Sequence, residues 1–174
     1  HLQSAIAKAS SRVDYLEIRL EKSESSLVSF RGKRLDAVDR SFSLAGGIRA
    51  CHRGGWSFVT FNGLTELEGR LDEAISQAYL VAGDSTYLAD VPPMEDYVSL
   101  ELQRDPRGIS LAEKRDLVER YNQQLLDYDP RIQTTIASYR DRFRTVYFVN
   151  SIGSNIVQER MDISGRFGAI ARGE

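Results

Sequence analysis

The sequence is short of several things, and each shortage closes off a class of function. It holds one cysteine, Cys51, in 174 residues. One thiol makes no internal disulfide, so a secreted disulfide scaffold is excluded and a reducing, cytoplasmic setting is expected. Histidines number two, His1 and His52. A zinc site needs His, Cys, Asp or Glu converging tetrahedrally. Cys51 and His52 are adjacent, so on a strand they point to opposite faces, and no His–Glu pair has helical ligand spacing. No metal or cofactor site is therefore expected in this chain. No apolar run approaches the ~20 residues that span a bilayer. The first eleven residues have no apolar stretch of the signal-peptide kind, so no membrane association is expected. Charge is nearly balanced, at −2 with a pI near 5.8. That argues against a nucleic-acid partner, which selects concentrated basic charge.

What is present is the material of an ordinary globular protein. Hydrophobic residues make up 41% and charged residues 28%, enough apolar surface to drive folding and too little net charge to prevent it. A chain of this length forms one domain with a real core or two very small ones. It opens on His1 and stops in Ala171-Arg172-Gly173-Glu174, within strand-like sequence. It is expected to be a piece of a longer protein.

Periodicity sets the organisation. Leu2, Ile6 and Ala9 recur at helical spacing, which predicts a short helix before Arg12. The period then falls to two. Leu16, Ile18 and Leu20 alternate with polar neighbours, predicting a strand over residues 15–21, with a second over 27–30 carrying Val28 and Phe30. Gly32 permits a tight turn. A third strand is expected over 35–44, interrupted or bulged at Gly46-Gly47 and resumed over 48–51. His52-Arg53-Gly54-Gly55 reads as a turn and residues 56–61 as another strand. Thr65 with Glu68 reads as a capping box, opening a helix with Leu67, Leu71, Ala74, Ile75 and Ala78 on one stripe and a stop at Gly83. Residues 84–108 contain Pro92, Pro93 and Pro106 and read as a long surface connection. Ser110 with Glu113 is a second capping box, and its helix carries Leu117, Val118, Tyr121, Leu125 and Leu126 before Asp129-Pro130 ends it. Strands are expected over 132–142, 145–150, 156–163 and 166–172, with a turn at Asn150-Ser151-Ile152-Gly153-Ser154.

The fold class is therefore α+β: antiparallel strand meanders in two similar halves, 1–83 and 109–174, packed against two main helices. An internal duplication would give this pattern, and so would any two meanders. The buried faces are expected to include Leu16, Ile18, Leu20, Val28, Phe30, Leu71, Ile75 and Leu125.

Chemistry-bearing patterns are sparse. Nucleophilic catalysis needs a Ser or Cys beside a base, and His52 is the one credible imidazole. His52 reads as a solvated loop residue and Cys51 as a small core residue. Glu17 with Glu21, and Asp36 with Asp39, read as the wet face of a sheet. Gly46-Gly47 and Gly54-Gly55 open no helix and lack the GK[ST] ending of a phosphate loop, so they read as a bulge and a hairpin turn. The charge feature that stands out is Arg140, Arg142 and Arg144. Their spacing of two puts them on one face of a continuous strand. They are the candidate contact for peptide carboxylates or an acidic partner; the competing reading is an edge strand kept from aggregating by its charges.

Taken in order, several segments resemble one family. Asp14-Tyr15 to Glu24, then Val28-Ser29-Phe30-Arg31-Gly32 and Gly46-Gly47-Ile48-Arg49-Ala50, resemble the opening of TldD/PmbA (modulator of DNA gyrase) proteins. Gly55-Trp56-Ser57-Phe58 is similar to the family's next strand. Asp105-Pro106, Ser110-Leu111-Ala112-Glu113-Lys114 and Asp129-Pro130-Arg131-Ile132 resemble its mid-domain helix and borders. Val149-Asn150-Ser151-Ile152-Gly153 resembles its Asn-Ser-x-Gly turn, and Glu159-Arg160 with Phe167-Gly168-Ala169-Ile170-Ala171-Arg172 is closer to the TldD branch. The resemblance runs from about Val13 to the end of the chain. It implies the N-terminal, non-catalytic domain of a zinc-dependent peptidase for unfolded peptides and small proteins. The zinc centre would stand on a His-Glu-x-x-x-His helix of a C-terminal domain absent here, and the full protein would form homo- or heterodimers with a related member. The chain alone is expected to be inactive. Exposed strands beside such a centre would hold extended peptide through main-chain hydrogen bonds. The alternative is a stand-alone α+β interaction module without enzymatic activity.

Overall fold

Alternation of period two carries straight through the positions where breaks are expected. In the computed structural model, which describes residues 1–84 and 88–173, the elements run α1 (Leu2–Ala9), β1 (Tyr15–Arg31), β2 (Arg34–His52), β3 (Gly55–Asn62), α2 (Leu67–Leu80), β4 (Glu95–Val98), α3 (Leu111–Leu126), β5 (Ile132–Asn150) and β6 (Asn155–Ala171). Each pair of short strands expected on either side of a break is one strand of 17 to 19 residues, about three times the usual length. Gly46-Gly47 does not interrupt β2. A Cβ at Gly46 would stand 2.6 Å from the Arg19 carbonyl oxygen, and one at Gly47 would stand 2.7 Å from the Phe58 ring. These glycines allow close approach of neighbouring groups, and the strand needs no turn there.

The six strands form one sheet in the order β3-β2-β1-β5-β6-β4, and with the three helices the fold is α+β, as expected. The sheet is mixed: β4, unread in the sequence because all four of its residues are exposed and show no period, pairs parallel with β6 from Glu95↔Asn155 to Val98↔Gln158. β2 and β3 pair antiparallel from Ala45↔Asn62 to His52↔Gly55. Of the expected connection 84–108, residues 85–87 lie outside the described residues, as does Glu174.

Two compact units share the long strands. The first comprises His1–Lys22, Ser43–Ser99 and Arg144–Glu159; the second comprises Ser23–Phe42, Leu100–Phe143 and Arg160–Glu174. In the first, Ala5, Ile6 and Ala9 of α1 and Leu67, Leu71, Ala74, Ile75 and Ala78 of α2 bury against Leu16, Ile18, Leu20, Ile48, Ala50, Val59 and Phe61. Each large apolar side chain so buried contributes about 1.5–3 kcal/mol. The Ser57 hydroxyl donates to the Ala74 carbonyl at 2.6 Å, tying β3 to α2. The expected cap at Thr65 is not made. The N-cap falls one residue later, at Glu66, which makes no side-chain cap, and α2 starts at Leu67. Leu67 N–H donates to the Leu64 carbonyl, so Thr65 lies inside the turn that precedes the helix.

In the second unit α3 begins with the expected box: Glu113 N–H donates to Ser110 Oγ at 3.2 Å, and Ser110 N–H to Glu113 Oε2 at 3.0 Å. Its apolar core is small, made of Val28, Phe30, Val118 and Ala137 with Tyr139 beside them. Of the expected apolar stripe, α3 fully buries only Val118. Leu117 and Tyr121 are 38% and 49% exposed and Leu125 is half-buried, whereas Lys114, Val118 and Asn122 are buried. Spacing of four places these three on one line of the helix, and two of them are polar.

Candidate functional site

On the first unit, the face of the sheet away from α1 and α2 is not the wet surface that Glu17 suggests. Tyr15 and Glu17 alternate with the core residues Leu16 and Ile18 and so share the opposite face. Glu17 accepts a hydrogen bond from the Tyr15 hydroxyl at 2.6 Å and another from Arg49 Nε at 2.6 Å. Asn150 Nδ2 approaches the Tyr15 oxygen at 3.5 Å. The Trp56 ring meets Tyr15 edge-on at 5.9 Å and carries the Arg49 guanidinium at 5.4 Å. Burial, and then the bond to the Glu17 carboxylate, push the Tyr15 hydroxyl up to about 12. Tyr15, Arg49, Trp56 and Asn150 line a cleft of about 530 Å³ whose apolar walls include Val91, Met94, Phe148, Ile152 and Ile156. The β5–β6 turn that contributes Ile152 is fixed by Asn150, whose Oδ1 accepts from Ser154 N–H at 2.8 Å; Gly153 takes φ +99 there. Ser154 Oγ in turn accepts from Met94 N–H at 3.2 Å, anchoring one wall.

The second unit holds a buried polar cluster that the sequence reading missed. Lys114 Nζ lies 2.6 Å from Asp141 Oδ2, with both side chains 5% exposed, and donates to Ser26 Oγ at 3.0 Å. Tyr139 donates to Asp141 Oδ2 at 2.7 Å, and burial followed by that bond raises the Tyr139 hydroxyl well above its usual range. Lys114 and Tyr139 border a cavity of about 570 Å³ with Arg104, Glu113 and Arg120. The signal was available: Asp141 falls in the inward register of β5, in phase with Thr135, Ala137 and Phe143, and an inward carboxylate requires a partner.

Arg140, Arg142 and Arg144 occupy alternate positions on β5, as their spacing requires. Arg140 and Arg142 are exposed and Arg144 is half-buried. β5 is not an edge strand; β1 and β6 flank it. The boundary between the two units falls between Phe143 and Arg144, which divides the three arginines.

His52 and Cys51 differ from one another in outcome. Cys51 is buried, and that burial raises its thiol. His52, expected to be solvated, is half-buried at the end of β2, with its ring 4.1 Å from that of Tyr79 and Nδ1 3.9 Å from Asp14 Oδ1. Its strand neighbour Cys51 points to the opposite face, so these residues do not assemble a zinc donor set. Among the described residues no group of three or more His, Cys, Asp or Glu is placed to hold a metal ion. Among them, too, no helix is long and apolar enough to cross a membrane.

Comparison with known proteins gives one consistent result. Residues 16–82 match the PmbA/TldA metallopeptidase domain 1, and residues 104–174 match the PmbA/TldA metallopeptidase central domain. A metalloprotease of Synechocystis sp. is 36% identical over 172 residues, 98% of this chain and 37% of that protein. A metalloprotease of Methanocaldococcus jannaschii is 26% identical over 154 residues, 84% of this chain and 33% of that protein. The chain thus spans about a third of the length of these relatives. Among solved structures, a candidate modulator of DNA gyrase from Bacteroides thetaiotaomicron superposes with a TM-score of 0.79 at 17% identity, covering 99% of this chain and 41% of that one. TldE from Thermococcus kodakarensis superposes with a TM-score of 0.75 at 14% identity, covering 98% and 39%. At these identities the superpositions show the shared fold.

Proposed function

The chain belongs to the PmbA/TldD metallopeptidase family, and from that premise we propose that it is the N-terminal, non-catalytic part of a cytoplasmic zinc peptidase acting on unfolded peptides and small proteins. In this reading it helps to form the substrate channel and the dimer, with a related family member or a second copy as partner. The catalytic zinc belongs to the portion of the relatives that lies beyond this chain's match.

The observation that carries the reading is the exposed sheet of the second unit. The β3 ladder on β2 reaches only to Ala45 and the β4 ladder on β6 only to Gln158. Beyond those points, among the described residues, no strand flanks β2 or β6 on its outer side. Leu35, Val38 and Phe42 of β2 and Ile163, Phe167 and Ile170 of β6 are 42–66% exposed there. Open strand edges with apolar side chains suit main-chain pairing with an extended peptide or a partner strand, and they demand little of its sequence.

The test is the longer protein. Its reading frame is expected to encode a His-Glu-x-x-x-His helix after Glu174. The purified product is expected to carry zinc and to cleave unfolded peptides, with activity lost to a chelator. A frame that stops close to Glu174, or a longer product without peptidase activity, would favour the stand-alone interaction module.

A further inference from the structure

The cleft lined by Tyr15, Arg49 and Trp56 in the first unit is more than a packed polar network. The ion pair that brings Arg49 to its lining is asymmetric: the Glu17 side chain is 11% exposed and that of Arg49 is 51% exposed. The negative end is buried and covered by two donors, while the positive end faces the cleft. Glu17 takes Arg49 through Nε, and a guanidinium keeps both Nη groups for a second acceptor. Trp56 and Glu17 together fix the guanidinium plane, so little side-chain entropy remains to be lost on binding. Beside this charge stand Val91, Met94, Phe148, Ile152 and Ile156, in a volume that holds one or two large side chains. A few oriented polar groups in an apolar concavity make a ligand site.

We propose that this cleft is a subsite for the C-terminal residue of a peptide, its free carboxylate paired with Arg49 and its apolar side chain lodged against the Phe148–Ile152–Ile156 wall. The charge selects a carboxylate, and the adjoining apolar wall selects one carried on the same residue as an aliphatic or aromatic side chain. The proposal rests on the reading of the chain as part of a peptidase and names the feature of the substrate that this unit would grip.

Trp56 is the only tryptophan in the chain, so its emission reports occupancy directly. The 174-residue chain is titrated with acetyl-Gly-Leu as the free acid, with the same peptide as the amide, and with acetyl-Glu-Leu amide, which moves the carboxylate to a side chain. The free acid is expected to change Trp56 emission saturably and to bind about tenfold more tightly than either amide, the scale of one charge-assisted hydrogen bond at a half-exposed site. The double variant Arg49→Gln/Glu17→Gln removes the pair together and leaves no buried charge; it is expected to keep the wild-type circular dichroism and lose the preference for the acid. Ile152→Asp, in an exposed turn, is expected to weaken all three peptides. No saturable response in the folded chain would overturn the proposal, as would equal binding of acid and amide. A preference for the acid that survives the double variant would also overturn it. If acetyl-Glu-Leu amide matches the acid, the C-terminal assignment fails. These outcomes are independent of zinc content and hydrolysis by the longer protein, which bear on the peptidase reading alone.

Discussion

Lys114 Nζ and Asp141 Oδ2 face each other at 2.6 Å inside the second unit, both side chains almost wholly out of solvent. The pair crosses from α3 to β5 and is held by Ser26 and Tyr139. Removing one partner leaves a buried charge uncompensated, so Lys114→Met should destabilise the chain by about 3–5 kcal/mol in denaturant unfolding. Lys114→Met/Asp141→Leu should recover much of that loss, because no charge is then stranded. A double variant as unstable as the single one would show that the pair does not govern the docking of α3.

A second buried contact locks the same helix to the β1–β2 hairpin. Asn122 Nδ2 donates to the Gly32 carbonyl at 2.7 Å, and Asn122 Oδ1 accepts from Thr135 Oγ1 at 2.6 Å. Asn122→Leu removes both hydrogen bonds and leaves the buried Thr135 hydroxyl unsatisfied, at about 1–3 kcal/mol, while the half-buried Gly32 carbonyl loses its partner as well. The midpoint of unfolding should drop accordingly. An unchanged midpoint would mean that water replaces the amide.

Two glycines should respond in opposite directions. Gly46→Ala forces a methyl against the Arg19 carbonyl and the Phe61 ring and should cost about 1–3 kcal/mol. Gly69 sits within α2 with nothing within 4 Å of a Cβ placed there, so Gly69→Ala should stabilise by roughly 0.5–1 kcal/mol. Thermal unfolding of the two variants distinguishes close approach from simple permissiveness.

The pH dependence follows from Tyr15. Its hydroxyl rises from 10.0 to about 12 in the folded chain, so between those values the folded state holds a proton that the unfolded state has lost. The contribution is full below pH 10 and is lost as pH rises through about 12. Tyr139, raised by burial and Asp141, acts in the same direction. Stability measured in urea should therefore fall in this alkaline window, with a shallower slope in Tyr15→Phe. Parallel slopes for the two proteins would contradict the assignment.

The arginines of β5 are tested in the longer protein. Replacing Arg140, Arg142 and Arg144 by Gln should raise KM for acidic or long peptides or weaken dimerisation, most strongly at low ionic strength. Each exposed charge is worth only about 0–1 kcal/mol. Arg140→Gln/Arg142→Gln should leave stability nearly unchanged, whereas the half-buried Arg144 should contribute to it. Unchanged kinetics and assembly at low salt would remove the contact role.

Local pattern determined much of this protein. The alternation of Leu16, Ile18 and Leu20, the α2 stripe through Leu71 and Ile75, and the Ser110–Glu113 box each rest on neighbours a few residues away, so period and capping chemistry suffice to read them. The order of the motifs also pointed to the family. Other features were decided only by partners distant in sequence. Gly46-Gly47 looks like a break until Phe58, Phe61 and Arg19 are brought against it. Glu17 looks solvated until Tyr15 and Arg49 bond to it, and the polar line Lys114–Asn122 of α3 looks outward-facing until Asp141 and Thr135 meet it. A charge or amide becomes a core residue when its complement arrives from another strand, because pairing offsets the cost of desolvation. Periodicity along one segment carries no record of that complement.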